Sequence, residues 1–255
     1  MIRFEKVTKK FGRKVVLDNV DLEIEDNETF VIVGTSGAGK SVSLKHMVRL
    51  LTPDSGRVWI GDDVISEANG PDLERIRARF GVLFQSAALL EWLNVKENVA
   101  LPLREREAIT DEAAIDQMVN EKLQQVNLKD INEIYPSSLS GGMRKRVGLA
   151  RAIVTKPEII LYDEPTSGLD PVTSRTIDNL IDSLRRQLGV TSVVVTHDLH
   201  SALAIATRIA MLHEGKMIEI APPAQFIESK NEIVRSFLDA QYITKRGSWE
   251  KVDQK

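Results

Sequence analysis

Gly34-Thr35-Ser36-Gly37-Ala38-Gly39-Lys40-Ser41 fits the phosphate-loop pattern G-x-x-x-x-G-K-[ST]. An apolar run typical of a buried strand, Thr29–Val33, precedes it, and a helix is predicted from Lys40 to about Leu51. Glycines let successive N–H groups turn into one concavity, and the helix dipole adds positive potential there. We expect Lys40 to reach the β- and γ-phosphates of a nucleotide and the Ser41 hydroxyl to ligate Mg²⁺. The alternative is a chance glycine turn with a surface lysine, but such a turn does not require a strand before it and a helix after it.

The composition is that of an ordinary globular chain. Its 255 residues are 42% hydrophobic and 28% charged, enough for one large domain or one domain with an inserted lobe. A net charge of −3 gives no overall positive field, so nucleic acid is not an expected partner. The lack of cysteine excludes disulfides and thiolate metal sites. The sequence shows no secretory signal. It also has no uncharged run near the roughly 20 apolar residues that cross a bilayer, so another chain is expected to span any membrane at which this protein acts.

The patterning changes from strand to helix along the first part of the chain. Ile2–Val7 and Val20–Ile24 alternate between apolar and polar residues, as half-buried strands do. The stretch 88–156 is predicted to be a mostly helical lobe inserted into an α/β core. It includes a helix from Asp111 to Asn127, with Thr110 as its expected cap.

The α/β pattern then resumes. The predicted elements are a second helix of the lobe at Gly142 to about Thr155, a buried strand at Glu158–Tyr162, a helix capped at Asp170-Pro171 and ended by Gly189, a third buried strand at Thr191–Thr196, and a hairpin of Ile209–Leu212 with Met217–Ile220.

Two carboxylates, Asp163 and Glu164, follow the second buried strand. An α/β sheet binds its ligands at the carboxyl ends of its strands. Asp163 is therefore expected to hold Mg²⁺ through the ion's water shell, and Glu164 to polarise an attacking water as general base. The structural alternative is an acidic turn before Pro165.

Further segments complete a recognisable set. They are Gly81-Val82-Leu83-Phe84 followed by Gln85, Leu139-Ser140-Gly141-Gly142-Met143, Ser167-Gly168-Leu169-Asp170 and Thr196-His197-Asp198. With the phosphate loop and the carboxylates, this set resembles that of the ATP-binding cassette (ABC) ATPases, up to about Ala240. The resemblance implies an α/β P-loop NTPase fold with a RecA-like core, an N-terminal antiparallel β subdomain and an inserted helical subdomain at about 88–156. It implies one ABC ATPase domain at 1–240 and a C-terminal tail at 241–255.

The resemblance also implies a head-to-tail homodimer with two ATP molecules at its interface. Ser140, Gly141 and Gly142 stand at a predicted helix N-terminus, which suits an anion. In the resembled family this segment meets the γ-phosphate held by the partner subunit. Asp170 is expected to contact the partner across the interface, and the two-fold arrangement closes without forming a filament.

Three more residues take roles from the resemblance. His197 is expected to hydrogen-bond the γ-phosphate and place the water, and Gln85 to ligate Mg²⁺ or position water while linking the core to the lobe. Phe11 is expected to stack on adenine, the alternative being a phenylalanine that packs a turn. The remaining histidines are interpreted as structural; these are His46, His200 and His213.

Segments 81–90 and 95–105, with Met143, look like the Mla/Mce-associated branch, whose ATPases power phospholipid movement between the membranes of diderm bacteria. That branch implies an integral membrane permease (MlaE-like), a STAS-domain protein (MlaB-like), an Mce-domain lipid-binding protein (MlaD-like) and a place on the cytoplasmic face of the inner membrane. The apolar stretch 88–93 is expected to contribute to a groove for a permease helix. Polar amino-acid importers and soluble non-transport ABC ATPases stay open as alternatives. Arg144-Lys145-Arg146 is interpreted as a solvated or phosphate-facing cluster.

Overall fold

A computed structural model of the protein describes residues 1–105 and 109–243. The strands in these two stretches are β1 (Ile2–Phe11), β2 (Lys14–Ile24), β3 (Thr29–Val33), β4 (Ser55–Ile60), β5 (Asp63–Val64), β6 (Phe80–Leu83), β7 (Ile159–Asp163), β8 (Thr191–Thr196), β9 (Arg208–His213) and β10 (Lys216–Ala221). The α-helices are α1 (Lys40–Met47), α2 (Gly70–Arg77), α3 (Val95–Glu105), α4 (Glu112–Gln125), α5 (Gly141–Ile153), α6 (Pro171–Leu188), α7 (Leu199–Ile205), α8 (Pro223–Ile227) and α9 (Glu232–Asp239).

The elements form two compact units. The first consists of Met1–Ile76 together with the described residues from Thr191 onward, and the second of Arg77–Val190. The segment 88–156 lies within the second unit. It holds α3, α4 and α5, so its predicted helical character is confirmed. The division into one ABC ATPase domain and a tail stays a prediction, and residues 244–255 of that tail lie outside the described part of the chain.

An antiparallel sheet in the first unit has the strand order β2-β1-β4-β5. Ile2 of β1 pairs with Ile24 on one side and Ile60 on the other, and all three side chains are buried. The register of β1 shifts between Phe4 and Val7. The sheet confirms the strands predicted from alternation at the start of the chain.

Strand β3 of the same unit lies between β8 and β9 and is parallel to both. Val31 pairs with Val194 and with Ile209. Every residue of β3 is buried, as expected for a strand covered on both faces. The predicted hairpin is the antiparallel pair β9 and β10, which continues this sheet.

In the second unit β6 and β7 form a parallel pair, with Gly81 opposite Ile160. Helices α3 and α4 both pack on α5, and α5 packs on β6. Helix α6 has the capping residues that the sequence predicts. Asp170 is its N-cap, Pro171 its first residue, and Gly189 its left-handed C-cap with φ 65°.

Two predicted helix ends are wrong. The N-cap of α4 is Asp111, not Thr110, and the Asp111 carboxylate accepts from the N–H groups of Ala113 (3.0 Å) and Ala114 (3.4 Å). Both residue types cap helices, but a carboxylate also complements the positive end of the helix dipole. Helix α1 ends at Met47 rather than near Leu51, because Arg49 adopts a left-handed φ of 55° and turns the chain.

Gly56 of β4 allows two backbones to approach. It has φ 83°, and a Cβ atom there would lie 2.3 Å from the Lys6 carbonyl oxygen of β1. Gly12, in the turn from β1 to β2, also has positive φ (59°), but a Cβ there would meet nothing within 4 Å.

We expect Gly56→Ala to destabilise the fold more than Gly12→Ala. The left-handed conformation costs an alanine about 1 kcal/mol at either site. At Gly56 the displaced backbone adds about 1–3 kcal/mol. Urea unfolding of both variants and the wild type measures the difference, and equal midpoints for the two variants would contradict the close approach.

Candidate nucleotide-binding site

The phosphate loop runs from the end of β3 to the start of α1, and its neighbours crowd it at two glycines. A Cβ at Gly34 would lie 2.3 Å from the Leu212 carbonyl oxygen, and one at Gly39 would lie 2.8 Å from the Val16 carbonyl oxygen. Gly39, the N-cap of α1, also has φ 106°. Both positions therefore require glycine, because the surrounding backbone packs closely against the loop.

The Lys40 ammonium lies inside the curl of its own loop. It donates to the carbonyl oxygens of Gly34 (2.8 Å) and Thr35 (3.2 Å), and the residue is 6% exposed. Burying a charged ammonium is costly unless its hydrogens find acceptors. The N–H of Ala38 donates to the Thr35 carbonyl at 3.2 Å and closes a turn within the loop. Thr35, Ser36 and Gly37 at the tip are exposed, so the loop faces outward there.

Asp163 and Glu164 follow one another at the carboxyl end of β7. Asp163 is the last residue of the strand. Glu164 is buried and has a left-handed φ of 48°. Its carbonyl oxygen accepts from the Lys145 ammonium at 3.0 Å and from the Ser167 N–H at 3.2 Å. The backbone of the predicted general base is thus fixed from two directions.

Gln85 follows β6 and is exposed. Its side-chain amide donates to the Ser167 hydroxyl at 3.5 Å. Within the second unit the structure therefore brings Gln85 and Glu164 to the same short segment, since both contact Ser167.

Oxygen ligands of the kind that Mg²⁺ prefers are available at the predicted metal residues. They are the Ser41 hydroxyl in the first turn of α1, the Gln85 amide oxygen and the Asp163 carboxylate. Among the described residues no group of three or more His, Cys, Asp or Glu could hold a metal ion. Mg²⁺ is usually bound by one or two carboxylates together with substrate phosphates rather than by a protein cage. Each of these residues therefore offers, within its own unit, the ligand chemistry of an ion that arrives with a nucleotide.

The segment Ser140–Gly142 starts α5, as the sequence predicts. The Ser140 hydroxyl caps the helix by accepting from the Met143 N–H at 3.3 Å, and a hydroxyl that accepts can still donate its own hydrogen. Gly142 packs against α6, since a Cβ there would lie 2.4 Å from Cγ2 of Thr173. Gly141 lies beside Leu169, where a Cβ would be 3.2 Å from Cδ2. The N-terminal ends of α5 and α6 are therefore side by side.

Asp170 is already engaged within its own chain. Its carboxylate accepts from the N–H groups of Val172 and Thr173, each at 3.0 Å, and from the Thr173 hydroxyl. The hydroxyl, followed by these N–H groups, lowers the pKa of Asp170 below its usual value. Its contact with a partner subunit stays a prediction, and it would be made by a carboxylate that also caps α6.

His197 follows β8 and is exposed, and a residue far along the chain holds its backbone. The Gln241 side chain donates to the His197 carbonyl at 2.8 Å and accepts from the Leu199 N–H at 2.9 Å. Sequence reasoning missed Gln241. A glutamine 44 residues from its partner gives no local signal.

Phe11 ends β1 with 47% of its surface exposed, and the Lys9 ammonium lies 5.6 Å from its ring centroid. Its stacking on adenine stays a prediction. His46 agrees with its structural interpretation. It is buried in α1 with Nδ1 2.7 Å from the Val42 carbonyl oxygen, and burial lowers its pKa.

A glycine-rich loop that joins a buried parallel strand to a helix and encloses a lysine ammonium defines a nucleotide-binding protein of the P-loop class. Residues 17–167 match the family described as ABC transporter. The chain belongs to the ABC transporter family, as an ATP-binding subunit with the fold of ABC ATPases. Members of this family couple ATP hydrolysis to transport.

Two similar proteins carry transport names. A probable ribonucleotide transport ATP-binding protein, mkl, of Mycobacterium leprae (strain TN) is 40% identical over 99% of this chain and 73% of its own length. The methionine import ATP-binding protein MetN of Xanthomonas euvesicatoria pv. vesicatoria (strain 85-10) is 39% identical over 95% of this chain and 74% of its own length.

A solved structure is similar over most of the chain. It is the dimeric post-hydrolysis state of the ATP-binding cassette MJ0796 bound to ADP and Pi, with a TM-score of 0.80 and 34% identity over 88% of this chain and 99% of that chain. Within the described residues of the present chain, none of the helices is long and apolar enough to cross a bilayer.

We expect Lys40→Ala to abolish nucleotide binding, because it removes the ammonium that occupies the curl of the loop. Lys45→Ala is the matched control, since Lys45 lies on the same helix but is exposed. Titration with a fluorescent ATP analogue measures both. Wild-type affinity in Lys40→Ala would contradict the assignment.

Proposed function

We propose that this chain binds and hydrolyses Mg-ATP as one half of a head-to-tail homodimer that energises phospholipid transport. The observation that carries the ATPase part is the Lys40 ammonium, held in the phosphate loop by the carbonyls of Gly34 and Thr35. Phosphate oxygens are stronger acceptors than these carbonyls because they are charged. Nucleotide phosphates at this loop would therefore compete well for the Lys40 ammonium.

The proposed roles divide between binding and chemistry. The backbone N–H groups of residues 34–39 and the Lys40 ammonium bind the phosphates, while Phe11 stacks on the adenine. Ser41, Gln85 and Asp163 would supply ligands to Mg²⁺, which when bound neutralises charge on the phosphate oxygens. His197 donates a hydrogen bond to the γ-phosphate and places the attacking water.

Glu164 is proposed as the general base that takes a proton from the attacking water. Two observations support this role. Its position after β7 is fixed through its carbonyl, and its burial limits competing water. A base held in this way keeps its alignment during proton transfer.

The dimer is proposed to act as a clamp. In each half the γ-phosphate would contact Ser140, Gly141 and Gly142 of the other half, and Asp170 would lie near the same interface. Hydrolysis would remove this bridge and let the halves separate. The similar dimeric cassette bound to ADP and Pi supports an assembly of this kind, since a third of its residues are identical to this chain.

We expect Glu164→Gln to lower kcat by about 100-fold or more, the usual contribution of a general base. ATP binding should persist, so the variant should accumulate as an ATP-bound dimer in size-exclusion chromatography. Glu158→Gln is the control, because it makes the same change in an exposed residue just before the opposite end of β7. Full turnover in Glu164→Gln would remove the assignment of the base.

Phospholipid is the proposed cargo because segments 81–90 and 95–105, with Met143, resemble the Mla/Mce-associated branch. The implied partners are an MlaE-like permease, an MlaB-like STAS-domain protein and an MlaD-like Mce-domain protein. The chain would then work on the cytoplasmic face of the inner membrane. Trp92, with 72% of its surface exposed, supports a permease contact at the segment 88–93.

The names of the relatives favour other cargoes. Methionine import is the second candidate, because MetN is nearly as similar to this chain as the mkl protein, which is named for ribonucleotide transport. A soluble ABC ATPase without a permease is the alternative from another class.

The cargo test uses the complex isolated from its native membrane through a tag on this chain. We expect a multi-pass permease to co-purify, and ATP to drive fluorescent phospholipid between proteoliposomes and acceptor vesicles. Methionine and ribonucleotides should not change the rate of ATP turnover, and neither should be taken up. Uptake of methionine would replace the lipid assignment by import, and purification without any membrane protein would favour the soluble alternative.

A further inference from the structure

One face of α5 is built to hold the segment that follows β6. Lys145, Gly148 and Arg151 are spaced three residues apart and therefore lie on the same side of the helix. The cluster Arg144-Lys145-Arg146 is not solvated at Lys145, because that residue is only 5% exposed. This face of α5 lies against residues 83–88.

The Lys145 ammonium donates to two backbone carbonyls, those of Gln85 and of Glu164, the latter at 3.0 Å. A buried lysine requires such acceptors to offset the loss of hydration. One carbonyl belongs to Gln85, the proposed ligand of Mg²⁺, and the other to Glu164, the proposed general base. One side chain thus links the backbones of both.

Arg151 extends the contact along the same segment. Its guanidinium donates to the carbonyls of Ala88 (2.8 Å) and Ala87 (2.7 Å), both residues with left-handed φ, 60° for Ala87 and 48° for Ala88. That conformation costs about 1 kcal/mol or more in each non-glycine residue, so it persists where surrounding contacts hold it.

Gly148 lets the helix lie close to this segment. A Cβ there would be 2.9 Å from Cδ1 of Leu83 and 3.1 Å from Cβ of Ala87. Because Gly148 lets the helix come this close, the Lys145 and Arg151 side chains reach backbone carbonyls of the segment. The segment after β6 is consequently fixed to α5 by its backbone, whatever its side chains do.

We propose that Lys145 is a positioning residue that holds Gln85 and Glu164 in alignment with helix α5. The inference rests on the proposed roles of those two residues. Lys145 lies five residues beyond the cap Ser140, which is about 7.5 Å along a helix at 1.5 Å per residue. A rigid helix transmits any displacement at Ser140–Gly142 to the ammonium, and through it to both carbonyls.

The test uses Lys145→Met, Lys145→Arg and Arg146→Met in the full transporter complex. Arg146→Met is the matched control, since Arg146 also donates from α5 to a backbone carbonyl, that of Asn127 at 2.8 Å, just beyond the end of α4. We expect Lys145→Met to lower kcat by about 10–100-fold, as misplaced catalytic groups do. The KM for ATP and the affinity for a fluorescent ATP analogue should change less than about twofold, because the phosphate loop is untouched. Lys145→Arg, which keeps the charge and the donors, should recover much of the kcat.

The inference is overturned if Lys145→Met retains wild-type kcat, or if its loss of kcat equals that of Arg146→Met. It is also overturned if kcat is unchanged while KM rises. If Lys145→Met does not fold, Lys145→Gln, which keeps one amide donor, is judged by the same comparison. The proposed function fails separately, if the wild-type complex hydrolyses no ATP or if Glu164→Gln hydrolyses it at the normal rate.

Discussion

The hydrogen bonds from the Lys40 ammonium to the carbonyls of Gly34 and Thr35 are the interaction on which the binding site depends. They satisfy the buried charge of Lys40, and the acceptors are carbonyls of the phosphate loop itself. The carbonyls of Leu212 and Val16 lie so close to Gly34 and Gly39 that neither position has room for a Cβ. Packing of the surrounding backbone against Gly34 and Gly39 therefore limits the shapes that the loop can adopt.

A second buried lysine, Lys145, works by the same physical means in the other unit. In both cases the charge is satisfied by main-chain oxygens, which every residue possesses. The backbone is thereby held at the points from which functional side chains project. Glu164 illustrates the benefit, since it keeps a left-handed conformation that is unfavourable for a glutamate in isolation.

Local rules predict the parts of this fold whose cause is local. The phosphate loop follows from a glycine pattern between an apolar run and a helix, and α6 follows from Asp170, Pro171 and Gly189. Strand β4 was not predicted, because it pairs with β1 some fifty residues earlier and its own first half, Ser55–Arg57, is exposed and polar. The ends of helices were the least predictable, as Thr110 and Asp111 are adjacent residues that both suit a cap. The contacts of Gln241 and Lys145 arise from tertiary packing, which charge and spacing in the sequence do not reveal.

The close packing of Gly142 on Thr173 limits the size of the residue that can start α5. A methyl group there would collide with the Thr173 side chain of α6, so a larger residue at this position displaces either that side chain or the helix. Loss of activity on enlarging this residue therefore has two origins. Only a paired change that also shortens Thr173 to serine separates a defect in recognition from a displaced helix.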